Sequence, residues 1–108
     1  MLVVMRLRVP VGEAEAFRER ADRALVALAG QRGYGSARLG RAVDEPELWV
    51  ITSEWDGVGA WRRALSAFDV RVELTPLMIY AVDEPGAFEV LLAHDGVTGA
   101  VRHGSDRA

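Results

Sequence analysis

Leu48-Trp-Val-Ile-Thr-Ser-Glu-Trp-Asp-Gly-Val-Gly-Ala-Trp-Arg-Arg-Ala-Leu-Ser-Ala-Phe-Asp69 changes its period in the middle. Up to Trp55 the side chains alternate as on a strand, with Trp49, Ile51, Ser53 and Trp55 on one face and Leu48, Val50, Thr52 and Glu54 on the other. Asp56 is a good N-cap, and after it Val58, Trp61, Leu65 and Phe68 recur at helical spacing, with Arg62 and Arg63 left for solvent. A strand that hands over directly to a short helix carrying a Trp is half of a βαβ unit.

Upstream, Leu2 to Val9 is β-branched and closed by Pro10, which makes it a strand with apolar residues on both faces. From Glu13 to about Gln31 the stripe Phe17, Ala21, Ala24, Leu25 and Leu28 predicts a helix, with Glu13, Glu15 and Glu19 matching its positive end. Gly30 and Gly33 stop it, and Tyr34 to Val43 reads as a second strand. Asp44-Glu45-Pro46-Glu47 turns the chain into the strand quoted above. The pentapeptide Ala-Val-Asp-Glu-Pro stands at Ala42 to Pro46 and again at Ala81 to Pro85; each copy is a turn before a strand. The second copy leads into a fourth strand, Ala87 to Leu92. Between Val70 and Tyr80 the pattern favours helical turns interrupted at Pro76, with a hairpin as the alternative. Asp95 to Ala108 is Gly-rich and unpatterned, so a body over 1–93 and a flexible C-terminal tail over 94–108 are expected.

Two such halves in series give an α+β fold of the ferredoxin-like βαββαβ type, an antiparallel four-stranded sheet with both helices on one face. Apolar residues on both faces of the first and third strands leave one sheet face without a cover, and a second copy is the natural one. A homodimer is therefore expected.

Composition removes whole classes of function. The net charge is −3, the pI is near 5.3, and all 13 cations are Arg. No basic stripe exists to release counterions, so nucleic acid is not an expected partner. The chain has no Cys, which rules out thiolate metal sites, Fe–S clusters, disulfides and a Cys nucleophile. No apolar run reaches bilayer length or has the form of a signal sequence, so no membrane is expected and the cytoplasm is the expected location. His94 and His103 lie in or beside the tail, leaving the body without an imidazole for general-base work, metal or haem. Asp44, Glu45, Asp83 and Glu84 are turn residues with no reason for a raised pKa. Gly30-Gln-Arg-Gly33-Tyr-Gly35 follows a helix and precedes a strand, the reverse of a phosphate cradle. No haem, flavin or metal is expected.

Aromatic and cationic side chains remain. Trp61 has only Ala60 and Ala64 beside it and predicts an apolar cavity between the second helix and the sheet, near Phe68, although a Trp that simply fills the core is the commoner outcome. Tyr34 and Tyr80 are the only phenols, and Arg38 stands among Arg6, Ser36, Thr52 and Glu54, which share a sheet face. The ordinary reading of that polar group is an Arg–Glu network at a dimer interface. Trp61, Phe68, Tyr34, Tyr80 and Arg38 are the candidate pocket residues.

The Leu48–Asp56 junction, the Ala60-Trp-Arg-Arg-Ala-Leu-Ser66 helix and the element order resemble the antibiotic biosynthesis monooxygenase superfamily of dimeric α/β-barrel proteins, over roughly Met1 to Leu92. Pro76-Leu77 and Asp83-Glu84-Pro85, followed by an aromatic strand, resemble a group of small actinobacterial members. The resemblance implies a homodimer with pockets between sheet and helices. It also implies cofactor-independent oxygenation of an aromatic, phenolic or quinol small molecule, or, in the alternative, a non-catalytic module that binds one. Haem-degrading members pair a helix Trp with a His ten residues on; here Arg71 stands ten after Trp61, and alignment on Trp55 puts the pair at Ala64 and Leu74. Anthrone-type oxygenases are associated with Asn, Trp, Tyr and Arg, and this chain has no Asn.

Overall fold

The computed structural model describes residues 1–96 and 99–102. Strands β1 (Leu2–Arg8), β2 (Tyr34–Arg41), β3 (Leu48–Trp55) and β4 (Ala87–Phe88) form one antiparallel sheet in the order β2-β3-β1-β4. Helix α1 (Ala14–Ala29) carries the chain from β1 past β3 to β2; α2 (Val58–Ser66) and α3 (Phe68–Leu74) carry it from β3 past β1 to β4. The sheet is ferredoxin-like and the helices cover one of its faces.

The strand alternation sets the core. Leu7 lies opposite Trp49, Met5 opposite Ile51 and Val3 opposite Ser53, and from the other side Arg41, Leu39 and Ala37 face the same three β3 residues. On this face Leu7, Val9, Trp49, Ile51 and Trp55 pack against Phe17, Ala21, Ala24 and Leu28 of α1 and against Val70, Leu74 and Leu77. Buried Ser53 accepts a 2.8 Å bond from Trp55 Nε1, so neither polar group is stranded. The opposite face carries Leu2, Val4, Leu48 and Val50, all half-buried, and the exposed ring of Phe88.

The second helix differs from its sequence reading in phase. Asp56 does not cap it: Gly57 holds the N-cap position without a side-chain bond, and the Asp56 N–H donates instead to Gly33 O at 2.8 Å. Ala60 and Ala64 face inward, while Leu65 is exposed, Trp61 half-buried and Phe68 77% exposed. The cause is a close crossing. Gly33 has φ 86°, and a Cβ there would stand 2.5 Å from Ala60 Cβ. A helix seated on its smallest residues turns its larger ones outward, and extended Ala67 then separates α2 from α3.

Val70 to Tyr80 is helical, as α3 and a 3-10 turn over Thr75–Tyr80. The fourth strand is much shorter than its expected span. Pro85 and Gly86 break the edge into pieces, so that Val82 N donates to Arg6 O, Gly86 O accepts from Val4 N, and only Ala87 and Phe88 pair regularly with Val3 and Leu2. Leu92–Asp95 (β5) and Gly99–Arg102 (β6) pair as a separate two-stranded ribbon. β5 spans the position after Ala93, and of the stretch from Asp95 onward Gly99–Arg102 pairs with β5. The rest of the expected tail, 97, 98 and 103–108, lies outside the described residues.

Candidate functional site

β2 is an edge strand with nothing paired beyond it among the described residues, and α1 lies beside that edge. The gap is a cleft of about 660 Å³. Its apolar lining comes from Ala14 and Leu25 of α1, Leu39 of β2 and the indole of Trp49. Helical spacing puts Glu15, Arg18, Glu19 and Asp22 on the outward side of α1, opposite Phe17, Ala21 and Ala24, and these four make one polar wall. Arg41 makes the facing wall, its guanidinium carbon 5.1 Å from the Trp49 ring centroid, in cation–π range.

Trp49 is 6% exposed and packs edge-on against Phe17 at 5.3 Å, which fixes the ring. Its Nε1–H is buried without a hydrogen-bond partner among the described residues. Leaving such a donor unpaired costs on the order of 1–3 kcal/mol.

None of the five residues expected to line a pocket, Trp61, Phe68, Tyr34, Tyr80 and Arg38, is among those lining the α1–β2 cleft. Tyr34 and Trp61 are brought together through Trp55, with ring centroids 5.6 Å and 5.5 Å from it. Phe68 points to solvent at the start of α3, and Arg38 is exposed at a β2 position paired with Thr52, on the sheet face away from the helices. Tyr80 sits at the N-terminal end of α1, its ring 5.4 Å from Phe17 and its hydroxyl donating 2.6 Å to Glu13 Oε1. That hydrogen bond, then desolvation, then the Glu13 charge raise the Tyr80 pKa above 10.0 against a lowering by Arg20. The polar group foreseen on the open face is partly realised: the register faces Ser36 with Glu54 and Arg38 with Thr52, while Arg6 pairs with Glu84 at 3.2 Å.

A smaller hollow of about 210 Å³ lies at Gln31, Arg32, Arg63 and Ala64 beside α2. Gln31 Nε2 spans it, donating to Ala27 O and to Asp69. No group of three or more His, Asp or Glu side chains among the described residues is arranged to hold a metal ion.

A helix-backed antiparallel sheet with an aromatic-floored cleft at its edge defines an α+β sandwich that can take a small molecule. The chain belongs to the antibiotic biosynthesis monooxygenase family, whose model matches residues 1–71. SnoaB, a cofactor-independent oxygenase from Streptomyces nogalater, has a similar structure, with 28% identity, 77% of this chain and 84% of that one covered, and a TM-score of 0.67. A conserved protein from Methanosarcina mazei Go1 (14% identity, 80% and 84% covered, TM-score 0.68) and Rv0793 from Mycobacterium tuberculosis (15%, 80% and 86%, TM-score 0.65) share the fold. No curated protein matches the sequence significantly. Ala64 and Leu74, the places of the haem-degraders' Trp and His in the alignment on Trp55, are buried apolar core residues.

Proposed function

We propose that the protein is a cofactor-independent monooxygenase of an aromatic, phenolic or quinol small molecule, working in the cytoplasm as a homodimer. The observation that carries this reading is the 28% identity to the cofactor-independent oxygenase SnoaB across most of both chains, within one family. The chemistry asks little of the protein. A deprotonated phenol or quinol passes electrons to dioxygen itself, one oxygen atom entering the substrate and the other leaving as water, with the substrate's own two C–H or O–H electron pairs as reductant. The protein supplies a dry, shaped site and polar orientation. Half-buried Leu2, Val4, Leu48 and Val50 on the sheet face that no helix covers support the dimer.

A second reading, a non-catalytic dimeric module that binds such a molecule, draws on the absence of any Asn in the chain and on the apolar residues at 64 and 74. Oxygen uptake with an anthrone or a hydroquinone separates the two. Uptake clearly above the uncatalysed rate is expected, and none above it leaves the binding module. Light scattering after size exclusion is expected at about twice the 11.8 kDa chain mass, and a monomer at micromolar concentration would refute the dimer.

A further inference from the structure

We infer that the homodimer exchanges arms: the stretch from Glu89 to Arg102, with its β5–β6 ribbon, leaves its own body and lies along strand β2 of a second copy. The inference deepens the sheet-to-sheet dimer proposed above and rests on it; which edges meet comes from the arm and the strand themselves.

The arm finds no support in its own body. Among the described residues, none beyond Tyr80 belongs to the buried core or packs against it, and β5 and β6 pair with each other while scarcely touching any other element. A two-stranded ribbon by itself is marginal in water. This one follows exposed Phe88 and begins on Leu91 and Leu92, 60% and 59% exposed. An apolar run of that kind marks a contact with something outside the fold.

β2 is the surface that matches it. The strand is eight residues long, and its outer edge pairs with nothing among the described residues. On the face that no helix covers it presents Ser36, Arg38 and Gly40, a low strip beside half-buried Val50. Charge selects the same pairing. β2 carries Arg38 and Arg41 and no carboxylate, whereas Ala81 to Asp95 carries Asp83, Glu84, Glu89 and Asp95 and no Lys or Arg. Stacking β2 on a second β2 brings like charges together; stacking it on the β4 edge of the other copy brings opposite ones. Within one chain β3 and β1 stand between β2 and the edge from which the arm leaves, roughly 14 Å of sheet, and the ribbon does not lie across them. A two-fold axis along the strands removes that obstacle. It lays β2-β3-β1-β4 of one copy over β4-β1-β3-β2 of the other, so that each arm reaches a β2 strip and the contact is isologous.

Because the chain has no Cys, introduced thiols report the contact cleanly. Leu92→Cys marks the arm and Ser36→Cys marks the strip; the two full-length variants are co-expressed under different tags and treated with a short bis-maleimide. The arm-to-strip product is expected to exceed either same-variant product about tenfold, because equivalent positions lie at opposite edges of the dimer. Leu91→Ser/Leu92→Ser is expected to raise the dimer dissociation constant at least about tenfold in sedimentation, through apolar burial lost at both arms, with the circular dichroism unchanged. Both leucines are exposed in the single chain, so its fold does not depend on them. Dominant linkage between two Ser36→Cys chains or two Leu92→Cys chains would overturn the exchange. So would a cross-link that leaves a doubly substituted chain at monomer mass, an unchanged dissociation constant, or a mixed product no stronger than that of Leu92→Cys with Val26→Cys on exposed α1 surface. A dimer of the unaltered chain without the mixed product keeps the dimer and removes the exchange; a monomer at micromolar concentration removes both.

Discussion

Under α1 the sheet meets Phe17 and Leu28 set between alanines, whereas α2 buries only Ala60 and Ala64 and leans Trp61 on Trp55 of β3. Both helices cross the same antiparallel sheet, yet they present residues of different size to it. The 16-residue α1 is held by large side chains near its two ends, Phe17 and Leu28, and the cleft beside Trp49 lies between it and β2. The 9-residue α2 has no large inward side chain; it drops onto Gly33 and turns Leu65 outward. Helix-to-sheet spacing is set by the largest residues caught between, and room for a ligand appears where a bulky contact holds an overhang open. A Trp on a helix does not make a pocket by itself.

If that comparison is right, the α1 half is the more sensitive to truncation in its core. Phe17 is fully buried and contacts both Trp49 and Tyr80 edge-on. Phe17→Ala is expected to cost about 4 kcal/mol in urea unfolding, from lost transfer energy and a cavity that two flanking rings cannot refill. A loss under about 2 kcal/mol would mean that α1 settles onto the sheet as α2 does, and the account of the overhang would fail.

Gly33→Ala attacks the other half at its closest point. The new methyl demands both a left-handed backbone and space already held by the Ala60 side chain, so about 3 kcal/mol is expected. Gly33→Ala combined with Ala60→Gly should recover the steric share and leave the backbone share at 33 plus the cost of a helical glycine at 60, together about 2 kcal/mol. Equal losses in the single and double variants would show that α2 is not seated there.

Trp61→Phe should be mild, about 1 kcal/mol or less, because the indole is half-buried and leans on Trp55 rather than filling the sheet interface. Trp49→Phe keeps an aromatic of smaller volume at the cleft and removes the orphaned donor. Comparing the two in chemical denaturation sharpens the contrast between a surface-leaning ring and a cleft floor. Several kcal/mol lost at Trp61 would make it a core residue after all.

The fold was legible because its signals are local. The change of period at Asp56, the apolar stripe on α1 and the Pro and Gly stops each lie within one element, and the strand Leu48–Trp55 was readable to the residue. The phase of α2 was not, since Val58, Trp61, Leu65 and Phe68 make a good amphipathic stripe and only the close approach of Gly33, some 27 positions upstream of Ala60, turns it away. Pro85 and Gly86 marked a turn but not the fragmentation of the edge that follows from it. The cleft was harder still. Trp49 was readable as inward-facing, but Arg41 comes over it only through the β2–β3 register, and the carboxylates of α1 look like an ordinary solvated face until β2 proves to be the edge. An acidic 15–19–22 stripe, a turn that pairs positions 41 and 49, and a Trp at one of them together form the signal that was present and unused.

The smallest effect tests the seam where the two halves meet. Tyr80 ends the 3-10 turn that follows α3, and its hydroxyl donates to Glu13 just before α1, so this bond ties the second half to the start of the first. The bond requires the phenol proton. The Glu13 hydrogen bond, desolvation and the Glu13 charge hold that proton against an opposing pull from Arg20, which puts the folded pKa above the unfolded value near 10.0. The linkage has a definite sign: a neutral group whose folded pKa is raised stabilises the fold fully below the unfolded pKa, and that contribution is lost as pH rises through the folded pKa. The stability from this bond should therefore be flat through neutral pH and decline only above about pH 10. Absorbance titration at 295 nm, with Tyr80→Phe subtracted to isolate the one phenol, is expected to give a midpoint above 10 that Glu13→Gln moves back down, because an amide oxygen accepts the bond without the charge. A midpoint at or below 10, or one indifferent to Glu13→Gln, would show that the tie is not held in solution and that the α1 overhang is anchored by Phe17 alone.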